Sequence, residues 1–227
     1  HLAADMLPRA VYGLPEINAE RIKSAGLVGN PGCFAVSMIL GLLPAVGKGM
    51  IEGNTIVCDG KTGVSGAGKN PGETNFYPQR YENVNTYREG RHQHIVEVEN
   101  VLNARAENQY RILFVPQIVP LNRGILTTIY ADCVPGMTTA DAQSIYREYY
   151  RGKPFVYITD SSPNTTDVRG SNRCEIRAMV DERTGKLFIT SVIDNLVKGQ
   201  SGNAVQNANL MLGFDETAGL SALPFYP

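Results

Sequence analysis

Residues 34–46, FAVSMILGLLPAV, put apolar side chains on nearly every side of a helix. That constrains the fold more than any other stretch, because a helix apolar all round has to be buried inside something larger. Immediately before it stand Asn30-Pro31-Gly32-Cys33, preceded by a short apolar piece at 27–30. The pattern reads as strand, tight turn, helix start, with Cys33 in the first helical turn. Unpaired N–H groups and the helix dipole at such a position favour the thiolate, the nucleophilic form of cysteine. The same N–H groups can receive a developing oxyanion, and Gly32 leaves room for a substrate to approach the backbone. A free cysteine is more commonly a buried structural residue, and on the turn alone that reading stays open.

At 227 residues the chain is long enough to bury such a helix. Its formal net charge of -1 gives no basic excess for nucleic acid and no acidic tail. No apolar run approaches the eighteen or so residues of a membrane span. The four cysteines, Cys33, Cys58, Cys133 and Cys174, are far apart and lack metal-ligand spacing. They point to free thiols in a reducing, cytoplasmic setting rather than to disulfides. Cys58, Cys133 and Cys174 fall in predicted strands and read as structural. The first residues carry neither a signal pattern nor an initiator Met, which suggests a fragment or a processed chain.

Periodicity predicts helices at 17–26, 94–106, 138–150 and 201–214, the last with a small-residue face. Thr138 or Thr139 is the expected N-cap of the third. Strands are predicted at 55–58, 111–120, 124–134, 155–159, 174–180 and 186–194, the last two joined by a hairpin-like turn at 181–185. Residues 69–87 have no clear period and read as loop. The expected class is α+β, a mostly antiparallel mixed sheet packed with helices, with α/β pieces at both ends. Residues 1–53 would be the remnant of a dinucleotide-binding domain, 54–193 a catalytic and dimerisation domain, and 194–227 a C-terminal helical segment.

A cysteine nucleophile needs a proton partner. Residues 90–99, GRHQHIVEVE, offer His92 and His94 just before a helix. Residues two apart in extended chain point opposite ways, so one of them at most is expected to face Cys33. Glu97, three residues after His94, would share its helical face and could orient its ring. The bland alternative is ordinary capping or surface histidines. A metal site is not expected, for want of a third ligand. The glycine-rich stretch from Gly63 to Gly68, with Lys69 and Arg123 as possible charges, could cradle an anion or be a surface loop. It matches neither the P-loop nor G-x-G-x-x-G, and the latter fingerprint occurs nowhere in the chain.

In order, AVYGLPEI, LVGNPGCFA, GLLPAV, KTGVSGAGK, HQHIVEVE, FVPQIVPLNRGILTTIY, VRGSN and SVIDNLVKGQSGNAVQNANLMLG together resemble the aspartate-semialdehyde dehydrogenase-like family, in its arginine-biosynthesis branch. The resemblance spans nearly the whole chain. It implies NADPH-dependent reduction of N-acetyl-gamma-glutamyl phosphate to the 5-semialdehyde through a cysteine thioester. Cys33 would be the nucleophile, His94 the acid/base, His92 its neighbour and Glu97 the orienting carboxylate. Asn30, Ser65, Gly66, Lys69 and Arg123 would lie on the substrate side. Gly63, Asn195, Leu196, Lys198 and Gly199 would lie near NADP, bound mainly by a domain that precedes this chain. Expected partners are a small acyl phosphate and further copies of the chain, as homodimer or homotetramer, with no nucleic acid and no membrane. Gln93, Gln117 and Thr62 depart from the family's usual Arg, His and Ser. Other readings are an aspartyl-phosphate substrate, a Cys–His acyl hydrolase, or a dimerisation module without activity.

Overall fold

The computed structural model describes residues 3–70 and 72–225. After a 3-10 helix (Ala4–Arg9) come β1 (Val11–Tyr12), α1 (Pro15–Lys23), β2 (Val28–Gly29) and α2 (Cys33–Gly47). There follow β3 (Ile51–Thr62), the one-turn α3 (Tyr77–Arg80), β4 (Asn85–Thr86), α4 (His94–Asn103), β5 (Arg111–Ile118) and β6 (Ile125–Cys133). The rest is α5 (Thr139–Tyr149), β7 (Val156–Ile158), β8 (Cys174–Asp181), β9 (Lys186–Ile193), a π-helical turn (Val197–Ser201) and α6 (Gly202–Met211).

Seven strands form one sheet in the order β4-β5-β3-β6-β9-β8-β7. The β3–β5 and β7–β8 pairs are parallel and the other neighbours antiparallel, so the sheet is mixed and mostly antiparallel, as the strand pattern implies. Burial alternates along β6 and β8 because successive side chains point to opposite faces. One face packs against α2, α4 and α5. α2 is buried from Phe34 to Val46 and forms the centre of the core. Gly41 brings it close to the sheet, since a Cβ there would stand 2.9 Å from Ile129 Cδ1. Pro44 lacks the N–H that would bond the Leu40 carbonyl. The Tyr150 hydroxyl, just beyond α5, donates to that carbonyl instead, at 2.5 Å, and the Tyr146 hydroxyl donates to Gly41 O at 2.7 Å. α5 starts at a capping box between Thr138 and Asp141.

β1, α1 and β2 form a small parallel β–α–β unit, with α6 packed on α1. The face α6 presents there is polar rather than small. The Asn203 and Asn207 amides donate to Gly13 O at 2.6 and 2.8 Å. β1 went unseen in the sequence because two residues carry no period. β3 is much longer than 55–58. Glycine masks it: Gly60 is needed where a Cβ would stand 2.5 Å from the Phe34 ring. The division drawn at Gly53 falls inside β3, and α2 shares the sheet's core, so residues 33–53 pack with the part that follows them. Residues 1, 2, 71, 226 and 227 of the sequence-based divisions lie outside the described residues.

Candidate active site

Cys33 is the first residue of α2, half-buried, after Gly32 in extended conformation. The turn is held from the side. Glu97 Oε1, on α4, accepts from the Gly32 N–H at 3.1 Å and from the Tyr12 hydroxyl at 2.9 Å. Glu97 therefore clamps the turn that carries the thiol and does not orient His94, whose Nδ1 is buried with no hydrogen-bond partner. Gly32 is also explained differently from the expectation. A Cβ there would stand 2.0 Å from His94 Nε2, so the space it leaves is filled by the imidazole.

Both histidines border the same cavity as Cys33. The expectation that they point apart assumed extended chain, whereas Gln93 is helical and His94 opens α4. Their ring centroids are 4.5 Å apart, and His92 Nδ1 accepts from the His94 N–H at 3.3 Å. Phe34, Phe114 and Tyr87 meet the His92 ring edge-on. Burial disfavours a charged ring, so both imidazoles are pushed down to about 4. Burial pushes the Cys33 thiol up, against the pull of the Phe34 and Cys33 N–H groups, and the Glu97 charge adds to the rise. The helix start acts in the expected direction and is outweighed. Near neutral pH the resting pair is a thiol beside uncharged imidazoles.

The cavity measures about 560 Å³. Its wall includes Cys33, His92, His94, Gly66 and Gly199 from the expected set. Thr62, Tyr87, Arg88, Gln93 and Gln200 also line it, though no role was read for Tyr87, Arg88 or Gln200, and Thr62 and Gln93 stood out only as departures from the family. Tyr87 ends the unperiodic loop and Arg88 follows it, where spacing carries no signal.

The remaining expected residues are engaged elsewhere. Asn30 Nδ2 donates to Gln200 O at 3.1 Å, and its Oδ1 accepts from Asn203 and Asn207. Gly63 is pressed against the next loop, where a Cβ would stand 2.7 Å from Arg123 N. The Asn195 side chain bridges Ser65 Oγ at 3.0 Å and Gly124 N at 2.6 Å. The Leu196 N–H donates to Asp194 Oδ1. Lys69 is exposed beside a separate shallow depression with Phe76 and Tyr77. Arg123 is ion-paired with buried Asp194 at 2.8 Å and does not line the cavity. Lys198 is the clearest correction to a cofactor contact. It is fully buried, its ammonium donating to Glu16 at 2.6 Å, Gln206 at 2.9 Å and Asn203 at 3.3 Å. Among the described residues no group of three His, Cys, Asp or Glu side chains is placed to hold a metal. Nor is any helix among them long and apolar enough to cross a membrane.

Residues 33–195 match the family described as semialdehyde dehydrogenase, dimerisation domain. The chain is 47% identical over 230 residues to the N-acetyl-gamma-glutamyl-phosphate reductase of Geobacter metallireducens, covering 100% of this chain and 66% of that protein. It is 44% identical to the enzyme of the same name from Oceanobacillus iheyensis, covering 98% and 65%, and 46% identical to that of Moorella thermoacetica, covering 95% and 63%. The chain thus spans just under two-thirds of the length of these relatives. Aspartate semialdehyde dehydrogenase II from Vibrio cholerae superposes with a TM-score of 0.71 at 18% identity, over 91% of this chain and 69% of that one, a likeness of fold.

Proposed function

This chain belongs to the semialdehyde dehydrogenase dimerisation-domain family, and on that premise we propose that its protein reduces N-acetyl-gamma-glutamyl phosphate to N-acetylglutamate 5-semialdehyde and phosphate. The observation that carries the reading is Cys33 at a helix start, opening into a cavity walled by two uncharged imidazoles. The names of the relatives supply the substrate.

His94 Nε2 abuts the Gly32–Cys33 turn. It takes the thiol proton as sulfur attacks the acyl carbonyl and passes it to the phosphate, which leaves as hydrogen phosphate when the thioester forms. A proton drawn from solvent through His94 then reaches the Cys33 sulfur when the carbon–sulfur bond breaks and the aldehyde departs. A thioester accepts hydride better than an oxygen ester and releases a better leaving group, which is why the residue is cysteine. A reduced nicotinamide, proposed to be NADPH, supplies the hydride when bound. Gly199 and Gln200 line the cavity, and Gly199 packs so closely on the thiol-bearing residue that a Cβ on it would stand 2.8 Å from Cys33 Cβ. Gly199 and Gln200 would flank the ring, and the rest of the dinucleotide is proposed to be held by residues outside this chain.

The protein is also proposed to act in the cytoplasm as a homodimer or homotetramer, built on the sheet face that α2, α4 and α5 leave open. The test of the chemistry is Cys33→Ser in the full-length protein, assayed with both N-acetylglutamate and aspartate semialdehydes in the phosphate-dependent direction. A loss of about 10³-fold or more in kcat is expected with the first substrate. Near-normal turnover by the variant, or a wild-type preference for the second substrate, would reject the reading.

A further inference from the structure

An acyl phosphate of an N-acetylated amino acid carries two anionic groups, a phosphoryl group and a carboxylate, and a cavity that takes it needs a free cation. Arg123 does not supply one, because buried Asp194 neutralises its guanidinium. Lys69 and Lys198 do not border the cavity. Among the described residues, Arg88 is the one permanently charged side chain in the cavity wall, and its guanidinium makes no ion pair with any of them.

Its backbone is unusual as well. Arg88 has φ +50°, a left-handed conformation that disfavours residues with a Cβ. The strain is held in place from both sides. The Tyr87 N–H donates to Pro116 O at 3.1 Å and the Gly90 N–H to Phe114 O at 3.2 Å, so the turn is pinned to β5 at each end. A glycine or asparagine would sit there at less cost, yet the position holds an arginine. Strain of this kind persists where the surroundings over-determine it and collects at functional sites.

We propose that Arg88 is the anion-recognition residue of the cavity, binding an oxyanion of the acyl substrate, its phosphoryl group or its carboxylate. The proposal deepens the reductase reading and rests on it for the substrate. The Arg88 charge also helps to keep His92 uncharged, which places it within electrostatic reach of the reacting groups.

Arg88→Gly removes the cation and relieves the strain together. In the full-length protein this variant is expected to hold its melting temperature or to gain about 2–4 °C. In the phosphate-dependent direction it should raise one KM by about 10- to 100-fold, the loss of a charge-assisted hydrogen-bonded pair. Arg88→Lys, which keeps the charge without the planar fork, should fall between the two. A rise in the KM for phosphate alone identifies the phosphoryl group as the ligand, and a rise for the semialdehyde alone identifies the carboxylate. Both KM values within twofold of wild type, or a fall in melting temperature, would overturn the proposal.

A second measurement does not need turnover. N-acetylglutamate or inorganic phosphate should protect Cys33 from iodoacetamide in the wild type and fail to do so in Arg88→Gly. If the wild type turns over no semialdehyde but this difference in protection persists, the reductase reading falls and the anion site stands. Equal protection in both proteins removes the anion site.

Discussion

At the scale of single residues, burial drives the two titrating partners in opposite directions. It disfavours whichever form is charged, so the Cys33 thiol is raised above its ordinary value of 9.0 while His92 and His94 fall to about 4. The proton therefore rests on sulfur near neutral pH, and on the proposed mechanism His94 would act as a base during attack rather than in a preformed ion pair. The alkylation rate of Cys33 by iodoacetamide should accordingly climb with pH up to and beyond 9, without an inflection between about pH 5 and pH 8, where an ordinary histidine titrates. A plateau reached below about pH 7 would show a stable thiolate–imidazolium pair and contradict this account. Glu97 illustrates how spacing can mislead at this scale. It shares a helix with His94, yet the N–H of Gly32 and the hydroxyl of Tyr12 are its partners.

Among the elements, the π-helical turn and α6 matter most for the site, because they carry Gly199 to the sulfur. Lys198 anchors that turn through an ion pair with Glu16 on α1 that solvent does not reach. Such a pair adds little against a well-packed apolar replacement, but breaking it on one side leaves a buried charge without a partner. Lys198→Met should thus destabilise the fold by about 3–5 kcal/mol in urea unfolding. Pairing it with Glu16→Leu should recover much of that loss. A double variant no more stable than the single one would show that the ion pair is not what joins α1 to the turn. α2 depends on a comparable long-range device, since the Tyr150 hydroxyl satisfies the carbonyl that Pro44 leaves without a donor.

At the scale of the whole molecule, the sheet has one face covered by helices and one face open. Register places Leu113, Val57, Tyr130, Phe188 and Met179 side by side across β5, β3, β6, β9 and β8 on the open face. Leu113 is 49% exposed and Tyr130 39%. An apolar row of this kind in a chain that matches a dimerisation-domain family is expected to be covered by another subunit. Leu113→Asp combined with Tyr130→Asp should shift the protein to monomers in sedimentation velocity and leave its circular dichroism unchanged. An oligomer mass equal to wild type would place the interface elsewhere.

Local pattern was enough to read the turn before α2, the apolar helix behind it, a threonine cap at 138 or 139, most of the strands and the segment bearing both histidines. Each of these is dictated within a few residues, by a helix end, a period of two or a period near 3.6. The choice of partners was not legible there. Asp194 takes Arg123 across 71 residues and Glu16 takes Lys198 across 182, while Arg88, next to a loop with no period, borders the cavity. By itself the sequence determined that a cysteine would stand at the head of a buried helix. Only the tertiary structure decided which cation would stay free beside it, because ion pairing depends on distances in space that spacing along the chain does not encode.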